Sequence, residues 1–290
     1  PKWSVPQNLG SEINSRSWET QPSFSADGKT LYYIKRVKEK SGFSHSDIFV
    51  SEVGNDGYWK MPVALPAHIN TKKNEESVFI HPDGQTLYFS SDGHPGMGGL
   101  DIFITKMNEK GEWSLPRNLG YPINTHVSEN SILISPDAQK AYFASDREGR
   151  FGGLDLYEFE LPKVIQPNPV SYLVGTVVDA ETRKPIQSQF ELLNLENSET
   201  VISASSDAID GSFLVALPLS KDYALNVSKP GYLFYSENFT LQQNDGNEPY
   251  RKNIELQKIK IGERVVLKNI FYATNEFDLL ANSKAELTKL

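Results

Sequence analysis

The chain contains no cysteine, which removes disulfide frameworks, zinc-thiolate sites and cysteine nucleophiles together. Histidine and methionine are sparse, with 5 and 3 copies. The histidines stand at positions 45, 68, 81, 94 and 126 and form no His-Glu-x-x-His pair, so each is expected in a polar surface role rather than on a metal. All five precede residue 127, so nothing later can supply the base of a Ser-His-Asp set. A Gly-x-Ser-x-Gly elbow and a phosphate-binding loop are also missing. No apolar run approaches the roughly 18 residues of a membrane span. Basic residues are not in excess: the net charge is −8, spread over both halves. That argues against a nucleic-acid or anionic-membrane partner. Together these absences predict a protein that is not an enzyme, with no cofactor and no metal.

What the chain has is turn formers and aromatics. It carries 20 glycines, 17 prolines and 11% aromatic residues over 290 positions, a composition of short strands and tight turns. That length allows about two domains. It begins at Pro1 without a targeting segment and stops at Leu290 inside an expected helix, so the sequence reads as a piece of something longer.

Three repeats follow one another at a period of about 54–56 residues. Trp3-Ser-Val-Pro6, Trp59-Lys-Met-Pro62 and Trp113-Ser-Leu-Pro116 share one pattern. Asn14, Asn70 and Asn124 follow inside Ile-Asn-Ser/Thr, then Glu19, Glu75 and Glu129. The turns Ser25-Ala-Asp27-Gly28, His81-Pro-Asp83-Gly84 and Ser135-Pro-Asp137-Ala138 each lead into an aromatic strand. Each repeat closes on Asp47-Ile-Phe, Asp101-Ile-Phe or Asp155-Leu-Tyr. Four antiparallel strands per repeat is the size of one β-propeller blade. The segment at Trp3 is a fourth strand without three before it, and the last repeat, ending at Leu161, has three strands without a fourth. Residues 1–161 are therefore expected to be propeller blades in an incomplete ring.

The Ser135-Pro136-Asp137 and Ser145-Asp146-Arg147 motifs resemble the WD40-like PD40 repeats of TolB-type propellers, although Ala138 replaces the turn glycine. Residues 162–170, rich in proline, read as a stiff linker. Residues 171–257 then have the punctuation of a β-sandwich. Gly175-Thr-Val-Val-Asp179, Lys184-Pro-Ile186, Asp210-Gly-Ser-Phe213 and Gly231-Tyr232 resemble the carboxypeptidase regulatory-like domain, a transthyretin-like sandwich that is not catalytic. In the tail, Val265–Phe271 reads as a strand and Ser283-Lys-Ala-Glu286 as a helix capping box. With Asn269-Ile-Phe-Tyr272, this resembles the start of an OmpA-like α/β domain over 264–290, whose peptidoglycan-binding residues would lie beyond Leu290.

Glu19, Glu75 and Glu129 are the candidate binding residues. Each opens the first strand of its repeat, eight residues before the turn aspartate. They could form an acidic ring at a channel mouth that attracts a basic partner. Alternatively, each could accept hydrogen bonds from the neighbouring blade backbone, the reading favoured here. The tryptophans are expected to pack between blades rather than hold a ligand. The loop from Asp92 to Asp101 could wrap a cation, but its Gly-Gly-Leu-Asp end recurs before Asp155, which favours a structural role.

The order of modules resembles OmpA-family envelope proteins of the Bacteroidetes, including type IX secretion components of the PorE type. The resemblance implies a non-enzymatic scaffold in the periplasm at the outer membrane, where such proteins are often held as lipoproteins. It would join envelope or secretion-system proteins to peptidoglycan through the part of the OmpA-like domain beyond Leu290. A surface glycan-binding propeller module is the alternative, and a propeller-capped peptidase fragment a lesser one.

Overall fold

The computed structural model describes all residues except 1–4, 39, 41, 43, 55, 150, 198–199, 242–248, 263, 265–266, 271, 273, 276, 280–282, 284–286 and 288–290. The chain divides into two compact units, Pro1–Pro169 and Val170–Leu290.

The first unit holds three antiparallel sheets, each a simple meander. The first consists of β1 (Glu19–Phe24), β2 (Thr30–Lys38), β3 (Ser44–Glu52) and β4 (Val63–Ala64). The second consists of β5 (Glu75–Ile80), β6 (Thr86–Ser91), β7 (Asp101–Lys106) and β8 (Arg117–Asn118). The third has β9 (Glu129–Ile134), β10 (Lys140–Ser145) and β11 (Asp155–Glu160). Each first hairpin turns on the Asp-Gly site read from the sequence. Gly28 (φ 68°) donates to the Ser25 carbonyl, and Gly84 (φ 72°) to that of His81. Ala138 adopts the same left-handed conformation (φ 58°) and donates to Ser135, at the steric cost a Cβ carries there.

Each first strand also carries a bulge two residues after its glutamate. Gln21, Ser77 and Ser131 have φ of 52°, 42° and 57°, and the ladder register slips around them. The first strands are also joined to one another. The Ser23 hydroxyl accepts the Ile80 N–H, and the Ser77 hydroxyl accepts the Ser131 N–H, both at 3.0 Å.

Alternation along the strands sends successive side chains to opposite faces, and here both faces find a neighbour. Tyr32, Ile34 and Ile48 of the first sheet pack with Leu87, Phe89 and Phe103 of the second. On the other face, Tyr88, Ile102 and Ile104 pack with Ala141 and Phe143 of the third. All six residues of β6 are consequently buried. Each large side chain so covered contributes on the order of 2 kcal/mol. Trp113 joins the core between the first two sheets, edge-on to Tyr32. Trp59 packs against Tyr33 and Phe49 on the far side of the first. The proline-rich stretch contains a 3₁₀ turn, Lys163–Ile165. The Tyr88 hydroxyl donates to the Ile165 carbonyl at 2.7 Å.

The expected propeller is not seen. The three sheets form an open series, none is closed, and only two of them have a fourth strand among the described residues.

The second unit is a β-sandwich. Its strands are β12 (Val170–Asp179), β13 (Gln189–Asn194), β14 (Thr200–Ser205), β15 (Ser212–Pro218), β16 (Lys221–Ser228), β17 (Tyr235–Leu241) and β18 (Tyr250–Leu256). They form one sheet ordered β15-β12-β18 and another ordered β14-β13-β16-β17. Leu173, Val177, Phe190, Leu192, Val215, Tyr223, Leu225 and Ile254 fill the space between them. β12 runs parallel to β18, and Gly175 allows their close approach: a Cβ there would lie 1.7 Å from the Lys252 carbonyl oxygen.

The expected OmpA-like α/β opening is not seen either. In the tail the described residues show one isolated bridge, Tyr272 to Leu279, and helical geometry at Ser283 and Leu287. Of the expected strand over 265–271, the described residues 267–270 have no strand geometry; the capping box, apart from Ser283, lies outside the described residues, as does Trp3.

Candidate functional site

The repeated glutamates head their strands and turn back on the loops before them. Thr71 donates its backbone N–H (2.9 Å) and its hydroxyl (2.8 Å) to the Glu75 carboxylate, and the Ser91 hydroxyl adds a third bond at 2.9 Å. Thr125 does the same for Glu129, at 2.9 and 2.6 Å, with Ser145 and Arg147 completing the set. In the first repeat the donor is Ser15, through both its N–H and its hydroxyl, and Lys35 stands 3.5 Å from Glu19. Glu75 and Glu129 are fully buried. Burial pushes the Glu75 carboxyl up to about 7, against the three hydrogen bonds that favour its charged form.

A second recurring residue closes the outer edge of the complete sheets. The Asn70 side chain accepts the Ile48 N–H at 2.9 Å and donates to the Ile48 carbonyl at 3.0 Å. Asn124 brackets Ile102 in the same way, at 2.8 and 2.9 Å. The repetition of this asparagine was visible in the sequence; its partner, a backbone group 22 residues earlier, was not.

The glycine-rich loop is held from within. The Asp101 carboxylate accepts the N–H groups of Met97 (2.8 Å) and Gly98 (3.2 Å). Gly98 lies against the Val127 carbonyl oxygen, 2.1 Å from where a Cβ would sit. No group of three metal-ligating side chains occurs among the described residues. The histidines are less exposed than expected: His81 is fully buried and His45 nearly so.

One place breaks the repeat. In the second and third sheets, an aspartate after the second strand accepts an N–H from just before the first: Asn74 to Asp92 (2.7 Å) and Ser128 to Asp146 (3.3 Å). In the first repeat these two positions are Trp18 and Arg36. The backbone contact survives, with the Arg36 N–H donating to the Trp18 carbonyl at 2.9 Å. The side chains point outward instead. The guanidinium lies 4.9 Å from the centre of the indole ring, which is 72% exposed. Beside them opens a cleft of about 430 Å³, also lined by Thr20, His45, Asn74 and Glu76. Arg36 makes no ion pair among the described residues, which leaves its planar fork available to a carboxylate. Sequence reading missed this pair because it searched for what recurs; the signal was the one repeat that departs.

No family model matches the chain, and no curated protein matches it. Among solved structures, the Bacillus anthracis TIE protein superposes with a TM-score of 0.27 and 11% identity, covering 85% of this chain and 59% of that one. The group B streptococcus pilus 2b backbone protein gives 0.28 and 11%, covering 84% and 98%. BcpA, the major pilin subunit of Bacillus cereus, gives 0.29 and 9%, covering 79% and 85%. The chain thus spans about 59% of the length of the first of these. At such scores the likenesses carry no argument about fold or activity.

The expected membership of the OmpA-family envelope proteins is corrected accordingly. No sequence family supports it, and the described residues show neither the propeller nor the OmpA-like α/β opening on which it rested. The expected role as a scaffold between the outer membrane, a secretion machine and peptidoglycan falls with it. The glycan-binding and peptidase alternatives are no better supported. Among the described residues no helix is long and apolar enough to cross a membrane.

Proposed function

We propose that the chain is a non-enzymatic recognition module that holds an acidic peptide segment in the Trp18–Arg36 cleft. The observation carrying this reading is the replacement, in the first repeat alone, of an internal aspartate closure by an exposed indole and a guanidinium with no ion pair among the described residues. A ligand carboxylate would sit on the Arg36 fork, and its neighbouring side chain on the Trp18 face. Peptide N–H groups would find acceptors in Glu76 and the Asn74 side-chain carbonyl, both lining the cleft. Glu75 and Glu129, the groups best suited by burial to acid–base work, are instead committed to their own loops.

Selection from a displayed random-peptide library tests this reading. Enriched peptides should carry Asp or Glu at a fixed position and lose at least ten-fold in affinity against Arg36→Ala or Trp18→Ala. Peptides bound equally well by both variants would remove the cleft as the site.

A further inference from the structure

The stretch Pro162–Asn168 leaves the third sheet and is bound by side chains of the second, without joining a strand ladder. Around its 3₁₀ turn the backbone N–H groups are answered locally: Ile165 donates to the Pro162 carbonyl at 2.9 Å and Gln166 to that of Lys163 at 3.3 Å. A turn this short leaves its last carbonyls without backbone partners. Three side chains supply them, each from a different strand. Arg117 of β8 donates to the Val164 carbonyl, Tyr88 of β6 to Ile165 at 2.7 Å, and Lys106 of β7 to Gln166 at 2.8 Å. Further on, the Asp83 carboxylate accepts the Asn168 N–H at 2.9 Å. Ile165 and Pro167 face inward, while Lys163 and Val164 are exposed.

The set of donors is particular to the second repeat. By strand register, the positions of Lys106 and Arg117 are held in the first repeat by Glu52 and Val63, and that of Lys106 in the third by Glu160. None of these can donate to a carbonyl.

The chain is fixed on both sides of this stretch. Leu161 is buried in the core between the second and third sheets, and its N–H donates to the Gln139 carbonyl at 2.7 Å. Val170 opens β12 and pairs with Pro218. While Asp83 holds Asn168, Pro169 alone stands between that hold and the second unit. Once the hold is lost, residues 162–169 all become linker, with a reach of up to about 26 Å at about 3.3 Å per residue. No sheet depends on the stretch, since the ladder of the third ends at Glu160 and that of β12 begins at Val170. The bonds from Arg117, Lys106 and Asp83 lie at the exposed surface, where local opening starts.

We propose that Pro162–Asn168 is a releasable strap that gives the tether between the two units two lengths, one residue when it is held and eight when it is let go. Tyr88, Lys106 and Arg117 are the latch. The device is independent of the Trp18–Arg36 cleft.

Trypsin reads the latch in the whole chain. Lys163 is exposed, but a protease needs several residues drawn out on either side of the bond, so cutting there follows the released population. Tyr88→Phe, Lys106→Met and Arg117→Met together remove three of the four holds and keep the ring and stems that pack. The triple variant should be cut after Lys163 at least ten-fold faster than wild type, with the exchange of the Ile102 and Val177 amides unchanged. Because the chain has no cysteine, spin labels can be placed at Glu109→Cys in the first unit and Ile209→Cys in the second, both exposed. Their distance distribution should be wider in the variant. If the triple variant loses its strand signal in circular dichroism, the pair Lys106→Met and Arg117→Met, both at exposed positions, takes its place. Equal cutting of variant and wild type would show that these side chains are not the latch. Wild type cut as fast as a free peptide of residues 158–170 would show that the strap is not held. Faster cutting without a wider distribution would show that the strap does not set the tether. Each of the three overturns the proposal.

Discussion

Thr71 gives both its backbone N–H and its hydroxyl to one carboxylate, that of Glu75, four residues further on. The pair closes the loop that enters the second sheet, and Ser15–Glu19 and Thr125–Glu129 repeat it in the others. Glu75→Ala leaves a part-buried N–H and two hydroxyls without their acceptor. The expected loss is about 2–4 kcal/mol of unfolding free energy, read by urea denaturation. A loss below about 0.5 kcal/mol would show that the closure is incidental.

The same carboxyl sets a pH dependence. Its folded value is raised to about 7 from an ordinary 4.5, so the folded state holds the proton more tightly than the unfolded one. The stability it contributes is complete below 4.5 and is lost as pH rises through 7, up to about 3 kcal/mol in all. Wild type should therefore be more stable relative to Glu75→Gln at pH 5 than at pH 8. Denaturation curves whose difference does not change over that window would refute the buried-proton reading.

Ala138 occupies a left-handed turn position that the other two repeats give to Gly28 and Gly84. Ala138→Gly relieves the Cβ clash and should stabilise the chain by about 1 kcal/mol, less the entropy a glycine adds to the unfolded state. A melting temperature lower than that of wild type would be the contrary outcome.

Much of this architecture was legible in the sequence. The Asp-Gly turns marked the hairpins, and the aromatic strands around Tyr32, Tyr88 and Tyr142 marked the stacked cores. Those signals are local and periodic. The bulges at Gln21, Ser77 and Ser131 were not legible, because positive φ at a non-glycine residue is imposed by the adjoining strand rather than by the residue. The repeats suggested blades of an incomplete propeller ring, but whether successive sheets are set as blades depends on how they sit in space, which spacing does not encode. At the candidate site the recurring glutamates were read and their donors were not. Ser15, Thr71 and Thr125 stood at a constant spacing, yet a side chain bonding its own loop has no signature beyond that. Trp18 and Arg36 stand out only once Asp92 and Asp146 are known to accept from the residues aligned with Trp18.

Asp83 joins the second turn to the proline-rich stretch. It accepts the N–H groups of Gln85, Thr86 and Asn168, each at 2.9 Å, and the Thr86 hydroxyl at 2.8 Å. Burial alone would raise its carboxyl, but His81 and these donors hold it below the ordinary value. The stability it contributes is therefore present above the usual carboxylate range and is lost as pH falls through its depressed folded value. Asp83→Ala should cost about 3 kcal/mol at neutral pH and flatten part of the acid-unfolding curve below pH of about 4. An acid transition unchanged in Asp83→Ala would contradict this assignment.

Amide hydrogen exchange tests most directly the picture of a repeated sheet left open at one end. The amides of Ile48 and Ile102, each bound by an asparagine side chain at the outer edge of a complete sheet, should exchange slowly, at rates close to those of global unfolding. The Leu156 amide, at the same position of the third sheet, should exchange orders of magnitude faster. Equal protection at all three would mean that β11 is already covered within one chain and that the open series is wrong.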